Sequence, residues 1–316
     1  MSESNALNFE DLENQNNVVE NGFESPSLLD NNEDEKKIKG LSKDEYNDPN
    51  QIRVTIANTK APLVILFGPP ACGKTMTLVR LARFLNKQGY KIGPVRTFRP
   101  NDDLNYVDLC NNFSKMINSP DAANSTANVS FMLVEVIDKN GRCLCQILEA
   151  PGEYYFNPND PTSPFPSYVN TIIHSNNRKL WAIMVEPDWQ NEEDRINYVS
   201  RINDLSRQMK AKDKTLFIFN KIDKTNFTMK QGQINISQAR EQINYLYPGI
   251  FEMFKNQNPI TKFFWTYQCG FVPFQTGTYT VTTKRDRNGI SVQNYQEGPD
   301  DYPRILWKQI MKSIVG

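Results

Sequence analysis

Eight consecutive residues have the types and spacing to hold a phosphate chain. Gly68-Pro69-Pro70-Ala71-Cys72-Gly73-Lys74-Thr75 fits G-x-x-x-x-G-K-[ST]. In that pattern successive backbone N–H groups wrap an anion, and Gly73 permits close approach. Lys74 reaches the β- and γ-phosphates, and Thr75 offers a hydroxyl to Mg²⁺. Pro69 and Pro70 stiffen the loop that Gly68 opens. They also remove two N–H donors, so the nest relies on the residues from Ala71 and Cys72 onward.

A second stretch, Asn220-Lys221-Ile222-Asp223, ends the apolar run Leu216–Phe219. Asn and Asp are ordinary turn residues, so a simple loop is one reading. The other is a guanine site. Guanine presents N1–H and N2–H₂ side by side, and the Asp223 carboxylate offers two matching acceptors. Adenine would leave that carboxylate facing a lone pair, a mismatch that discriminates by a factor on the order of 10³ or more. Asn220 would hold the loop and contact N7, and the Lys221 stem would cover the ring. A third stretch, Glu149-Ala150-Pro151-Gly152-Glu153, follows two apolar runs, Ser130–Ile137 and Cys143–Leu148. Asp138-Lys139-Asn140-Gly141 joins those runs. Asn-Gly there signals a tight antiparallel hairpin with positive φ at both central positions.

These stretches need elements to position them. Pro62–Phe67 reads as a strand buried on both faces. Met76, Leu78, Val79, Leu81, Ala82 and Leu85 form a helical stripe that stops at Gly89. A weaker helical pattern runs through Leu104, Val107, Cys110, Phe113 and Ile117, and 118–127 reads as a loop. Tyr168–Ile173 suggests a short helix and Leu180–Val185 another buried strand. Residues 192–211 suggest a polar helix with Ile196, Val199, Ile202, Leu205 and Met209 on one face. Helical segments near 237–246 and 249–255 follow. Phe263–Tyr267 reads as the last core strand. A hairpin is expected from Thr278–Thr283 and Ile290–Tyr295, and an amphipathic helix from Tyr302 to Val315. Alternating strands and helices predict an α/β fold with a doubly wound, mostly parallel sheet and one antiparallel hairpin strand. The three stretches then fall together beyond the carboxyl ends of strands.

Composition adds bounds. The chain has 316 residues, with 36 basic and 36 acidic side chains. Residues 1–50 hold 13 Asp/Glu against 4 Lys, which leaves 23 acidic against 32 basic groups in 51–316. The acidic segment is poor in apolar residues and reads as a disordered tail, solvated or folded loosely back on the basic body. Residues 51–316 then form one domain, enlarged at about 92–127 and carrying a hairpin at about 270–300. No run approaches the roughly 20 apolar residues of a membrane span, and the N-terminus has no signal-peptide pattern. The five cysteines lack paired ligand spacing, which with the missing leader predicts a reducing, cytoplasmic setting. His174 is the single histidine, so neither a zinc site nor a Ser-His-Asp triad is expected. Charges are spread along the chain without a recognition motif, so nucleic-acid binding is not expected.

With those motifs in place, the sequence resembles the translation-factor and Ras-like (TRAFAC) class of P-loop GTPases from about Pro62 to Tyr267, plus the closing helix. The long segment between the phosphate-loop helix and the hairpin makes it similar to bacterial members of the double-GTPase type. The resemblance implies GTP/GDP binding with Mg²⁺, a GTPase activity and a protein effector. It also implies residue roles. Glu149 stands where the family has a Mg²⁺-linked Asp, and Gly152 where a glycine N–H meets the γ-phosphate. Glu153 stands where small GTPases orient water with Gln; a carboxylate there would either polarise a water or repel the γ-phosphate, and slow hydrolysis is expected, with Lys74 and Gly152 on the phosphates. The switch threonine that caps the metal would be Thr126, or Thr97. Cys269-Gly270 would replace the base-contacting small pair. Arg96 and Arg99 would be a finger in cis or simply solvated. Two alternatives stay open. One is a P-loop ATPase whose Asn220–Asp223 is only a turn. The other is a non-hydrolysing interaction module on the same fold.

Overall fold

The computed structural model describes residues 40–118, 131–157, 160–187, 189, 191–225, 228–230, 233–263, 266–285 and 291–315. The strands are β1 (Leu63–Phe67), β2 (Lys91–Pro94), β3 (Met132–Ile137), β4 (Cys143–Glu149), β5 (Lys179–Val185), β6 (Lys214–Phe219), β7 (Thr228–Lys230), β8 (Gln233–Ile234), β9 (Cys269–Pro273), β10 (Gly277–Arg285) and β11 (Ser291–Glu297). The α-helices are α1 (Lys43–Asn47), α2 (Lys74–Lys87), α3 (Leu104–Asn118), α4 (Gly152–Tyr155), α5 (Ser167–His174), α6 (Glu192–Gln208), α7 (Ile236–Leu246) and α8 (Asp301–Val315).

Seven strands form the main sheet in the order β2-β3-β4-β1-β5-β6-β9. β4, β1, β5, β6 and β9 run parallel, while β3 pairs antiparallel with both β2 and β4. Continuous apolar runs make this arrangement possible. Every residue of β1 and β5 is buried, so both faces of those strands are covered. The β10–β11 and β7–β8 hairpins form separate two-stranded sheets. Among the described residues no helix is long and apolar enough to cross a membrane.

Several sequence expectations are corrected. Within the span read as a tail, residues 43–47 form α1, capped by Ser42 and Glu45 in a reciprocal capping box. The remaining tail residues, 1–39, lie outside the described residues, as does 119–127 of the expected loop. In the β3–β4 turn only Gly141 has positive φ, at 81°. The Asp138 carboxylate accepts from the N–H groups of Asn140 and Arg142, each at 2.9 Å, and so builds a wider turn than a two-residue one. The buried stripe of α3 is Tyr106, Leu109, Cys110, Phe113, Met116 and Ile117, which leaves Leu104 exposed. Phe263–Tyr267 is not the last core strand. Phe263 is 90% exposed and the edge strand is Cys269–Pro273.

Candidate functional site

The phosphate loop leaves β1 at its carboxyl end and enters α2 through Gly73, whose φ is 89°. A Cβ there would lie 2.4 Å from the Asn220 side-chain nitrogen, so glycine is required by conformation and by contact. Ala71 also has positive φ, at 58°. Gly73 supplies no side-chain cap to α2, and a helix amino end of this kind favours an anion. Lys74 is buried, and its ammonium donates to the carbonyls of Gly68 at 3.1 Å and Pro69 at 2.8 Å. Those bonds curl the side chain back over the loop, where a phosphate would sit.

β4 runs beside β1 with Leu66 opposite Glu149, so the two strand ends are level. The Thr75 hydroxyl donates to Glu149 Oε1. Glu149 is 2% exposed, and its Oε2 has no hydrogen-bond partner. Burial pushes its carboxyl up to about 8, against the smaller opposing effects of the Thr75 hydroxyl and the Lys74 charge. A hydroxyl beside a carboxylate with one unsatisfied oxygen is a donor set of hard oxygens, and it fits a divalent cation such as Mg²⁺. Among the described residues no cluster of three or more His, Cys, Asp or Glu could hold a metal alone, so bound phosphate and water would complete its shell.

Gly152 presses on the phosphate loop from the β4 side. A Cβ on it would stand 2.3 Å from the Pro70 nitrogen and 2.5 Å from the Pro69 oxygen. Gly152 opens α4, in which Glu153 is exposed. The chain after it is held in the core. Tyr155 packs on Phe67 with ring centroids 4.8 Å apart. From α6, Arg201 donates to the Tyr155 carbonyl at 2.7 Å and lies 3.6 Å above the Phe165 ring.

The third loop leaves β6, two places from β1 in the sheet and roughly 10 Å away at ordinary strand spacing. Asn220 is buried and donates to the Cys72 carbonyl at 2.8 Å, which ties this loop to the phosphate loop. Its side-chain oxygen has no partner. Lys221 adopts the left-handed conformation, with φ 54°, and its ammonium lies 2.6 Å from Glu186 Oε2. A non-glycine residue in that conformation is strained and is held by its surroundings. Glu186 follows β5, and its carbonyl accepts from the Tyr247 hydroxyl at 2.6 Å. Asp223 is exposed in a short 3-10 turn at the same sheet end.

Gly68, Ala71, Cys72, Gly73, Lys74, Thr75, Glu149, Gly152, Glu153, Asn220, Lys221 and Asp223 all lie at or just beyond the carboxyl ends of β1, β4 and β6. Cys269 and Gly270 are not among them. Thr215 at the start of β6 pairs with Cys269, so that pair sits at the amino end of the sheet. The aromatic run before it reads as a strand by composition, which shifted the expected register. The chain that does reach the third loop follows Pro273. The Phe274 carbonyl accepts from the Ile222 N–H at 3.3 Å, and its N–H donates to the Phe219 carbonyl at 2.8 Å. Glu186 and Phe274 had no motif to mark them.

Thr126 lies outside the described residues. Thr97 is exposed just beyond β2, at the same sheet end as Glu149 but two strands away from β4. Arg99 is neither a finger nor solvated. It is buried and bonded to Glu45 at 2.5 Å and Asp103 at 2.9 Å. Arg96 donates to Asn111 at 3.0 Å.

No protein-family model and no curated protein matches the chain. Among solved structures it is similar to nucleolar GTP-binding protein 1 from Plasmodium falciparum, with TM-score 0.33 and 17% identity, over 82% of this chain and 90% of that one.

Proposed function

We propose that the chain binds GTP with Mg²⁺, hydrolyses it slowly, and acts as a nucleotide-dependent switch read by a protein partner. The observation that carries this reading is the direct tie between the two recognition loops, Asn220 on the Cys72 carbonyl at 2.8 Å. A turn that merely ended β6 would not need its side chain spent on a phosphate loop two strands away. In this reading the α2 amino end, Lys74 and the Gly152 N–H hold the phosphates. Asp223 pairs with the guanine edge, and the Lys221 stem, braced by Glu186, covers the ring. Gln275 and Thr276, after Phe274, take the place expected for Cys269-Gly270. Thr75 and Glu149 would hold Mg²⁺, which when bound neutralises phosphate charge. Glu153 brings a negative charge beside the position a γ-phosphate would occupy. It repels that phosphate and provides no neutral amide to orient water, so unassisted turnover stays below about 1 s⁻¹.

One observation favours the non-hydrolysing module as a second reading. α4 is locked into the core by Tyr155 and Arg201, which leaves the chain after Gly152 little freedom to respond. Titration with fluorescent GTP and ATP analogues in Mg²⁺, wild type beside Asp223→Ala, separates the possibilities. A GTP preference of about 10³ or more that the substitution abolishes supports the guanine site. Equal binding of ATP makes Asn220–Asp223 a turn. Tight GTP that is never turned over selects the module.

A further inference from the structure

The carboxyl end of α2 forms one wall of a groove of about 610 Å³, away from the phosphate loop, and the β3–β4 turn and the first turns of α8 form the others. That volume is within the range of ordinary ligand clefts. The groove has an aromatic floor. Phe84 is 6% exposed and Trp307 8%, and Tyr90 packs edge-on against Trp307 with ring centroids 5.7 Å apart. The end of α2 fixes Tyr90 there. Gly89 has φ 83°, the Tyr90 N–H donates to the Leu85 carbonyl at 3.1 Å, and the Gly89 N–H donates to that of Asn86 at 3.0 Å. This is a glycine helix end that turns the chain into β2 within a few residues. A Cβ on Gly89 would stand 3.0 Å from the Lys139 Cε, so the Lys139 stem crosses the glycine at the groove's edge.

The rim is cationic. Lys139, Arg304 and Lys308 are exposed along it. The lining carboxylate, Asp138, is engaged within its own turn. It accepts from the Asn140 and Arg142 N–H groups, each at 2.9 Å, and lies 3.3 Å from the Arg142 guanidinium. Arg304 pairs with Asp301 of its own helix. Among the described residues Lys139 and Lys308 pair with no carboxylate. The groove therefore carries unmatched positive charge over an apolar floor.

We propose that this groove binds a short acidic peptide segment of a partner protein, centred on one bulky apolar side chain. The apolar side chain enters between Phe84, Tyr90 and Trp307, and the flanking carboxylates meet Lys139 and Lys308. The low exposure of Phe84 and Trp307 selects this occupant. It leaves no open ring face on which a nucleobase would stack, and nothing apolar that projects far enough to enter a bilayer.

The test is selection of a display library of random short peptides on the full chain. Enriched peptides should carry several Asp or Glu around one Phe, Leu, Ile or Trp. The most enriched peptide, synthesised with a fluorescent label, should bind in an anisotropy titration and weaken with salt. Lys139→Glu with Lys308→Glu should weaken it by about tenfold or more, and serine in place of the peptide's apolar residue likewise. Both lysines are exposed and lie at the far end of α2 from Lys74, so thermal melting and nucleotide binding should match wild type in that variant. Four results would overturn the proposal: no enrichment of acidic peptides, equal binding to the lysine variant, binding indifferent to the peptide's apolar residue, or a single-stranded RNA that takes the groove more tightly than the peptide.

Discussion

Glu149 is a buried carboxyl that, among the described residues, is hydrogen-bonded through the Thr75 hydroxyl, and its protonation is therefore linked to folding. Burial raises its value in the folded state to about 8, from an ordinary 4.5. A raised carboxyl contributes stability that is fully present below the unfolded value and is lost as pH rises through the folded one. The metal-free protein should therefore lose on the order of a few kcal/mol between about pH 4.5 and 8, and Glu149→Gln should flatten that slope. If Mg²⁺ binds at Glu149 as proposed, it must displace the proton, so its stabilising effect should be larger at pH 8 than at pH 6 in thermal melts. A Mg²⁺ effect equal at both pH values would place the cation elsewhere. Gly152 gives a second test at this scale. Gly152→Ala drives a methyl into the backbone of Pro69 and Pro70, and should cost about 1–3 kcal/mol in urea unfolding together with a loss of GTP affinity. These residues were legible in the sequence because each sits in a short motif whose spacing encodes its geometry. Glu186 was not, because its role comes from the neighbouring strand, which brings it to Lys221.

At the scale of elements, Arg201 shows how a segment after Gly152 can be fixed by a helix far along the chain. Its guanidinium spans the Tyr155 and Ser163 carbonyls, at 2.7 and 2.5 Å, and stacks on Phe165. Arg201→Met keeps much of the apolar contact but leaves both carbonyls unpaired. The expected cost is about 2–4 kcal/mol, with faster hydrogen exchange concentrated in residues 152–157 and 160–166. Uniformly faster exchange over the whole domain would show that Arg201 supports global stability rather than this segment. The α6 pattern predicted Ile196, Val199, Ile202, Leu205 and Met209 as the inner face. The helix buries Val199, Ile202 and Leu205 as expected, adds Tyr198 and Arg201, and leaves Ile196 50% exposed. Hydrophobic period alone cannot announce a buried arginine. The same limit explains β9. Phe263–Tyr267 has strand composition, yet strand identity depends on which residues align with β6, and that alignment begins at Cys269. Buried runs such as β1 and β5 were readable because both faces are covered and no alternation needs to be resolved.

Across the whole molecule, the phosphate-loop helix α2 is joined to the late additions of the chain. Arg80 lies 2.7 Å from Glu297 Oε2 and also donates to the Gly298 carbonyl. Arg83 lies 2.7 Å from Glu297 Oε1 and donates to the Met116 carbonyl at the end of α3 at 2.7 Å. Glu297, the last residue of β11, therefore neutralises two guanidiniums that are almost fully buried. Burial alone would raise its carboxyl, but the Arg83 hydrogen bond and the charges of Arg80, Lys87 and Arg83 outweigh it and hold the group below its ordinary value. A depressed carboxyl contributes stability above the unfolded value, and that stability is lost as pH falls through the folded one. Glu297→Ala removes the carboxylate that Arg80 and Arg83 share, while Arg80 keeps its 3.1 Å pair with Asp300, and should cost about 3 kcal/mol by urea unfolding. The variant should also lose part of the wild-type sensitivity to acid below about pH 4.5. The Asn220–Asp223 loop, proposed to read the base, follows β6, outside this network, so the ratio of GTP to ATP affinity should stay at its wild-type value wherever the variant is folded. A ratio that falls together with stability would mean that the hairpin, α3 and α2 move as one body with the Asn220 loop, through its bond to the Cys72 carbonyl.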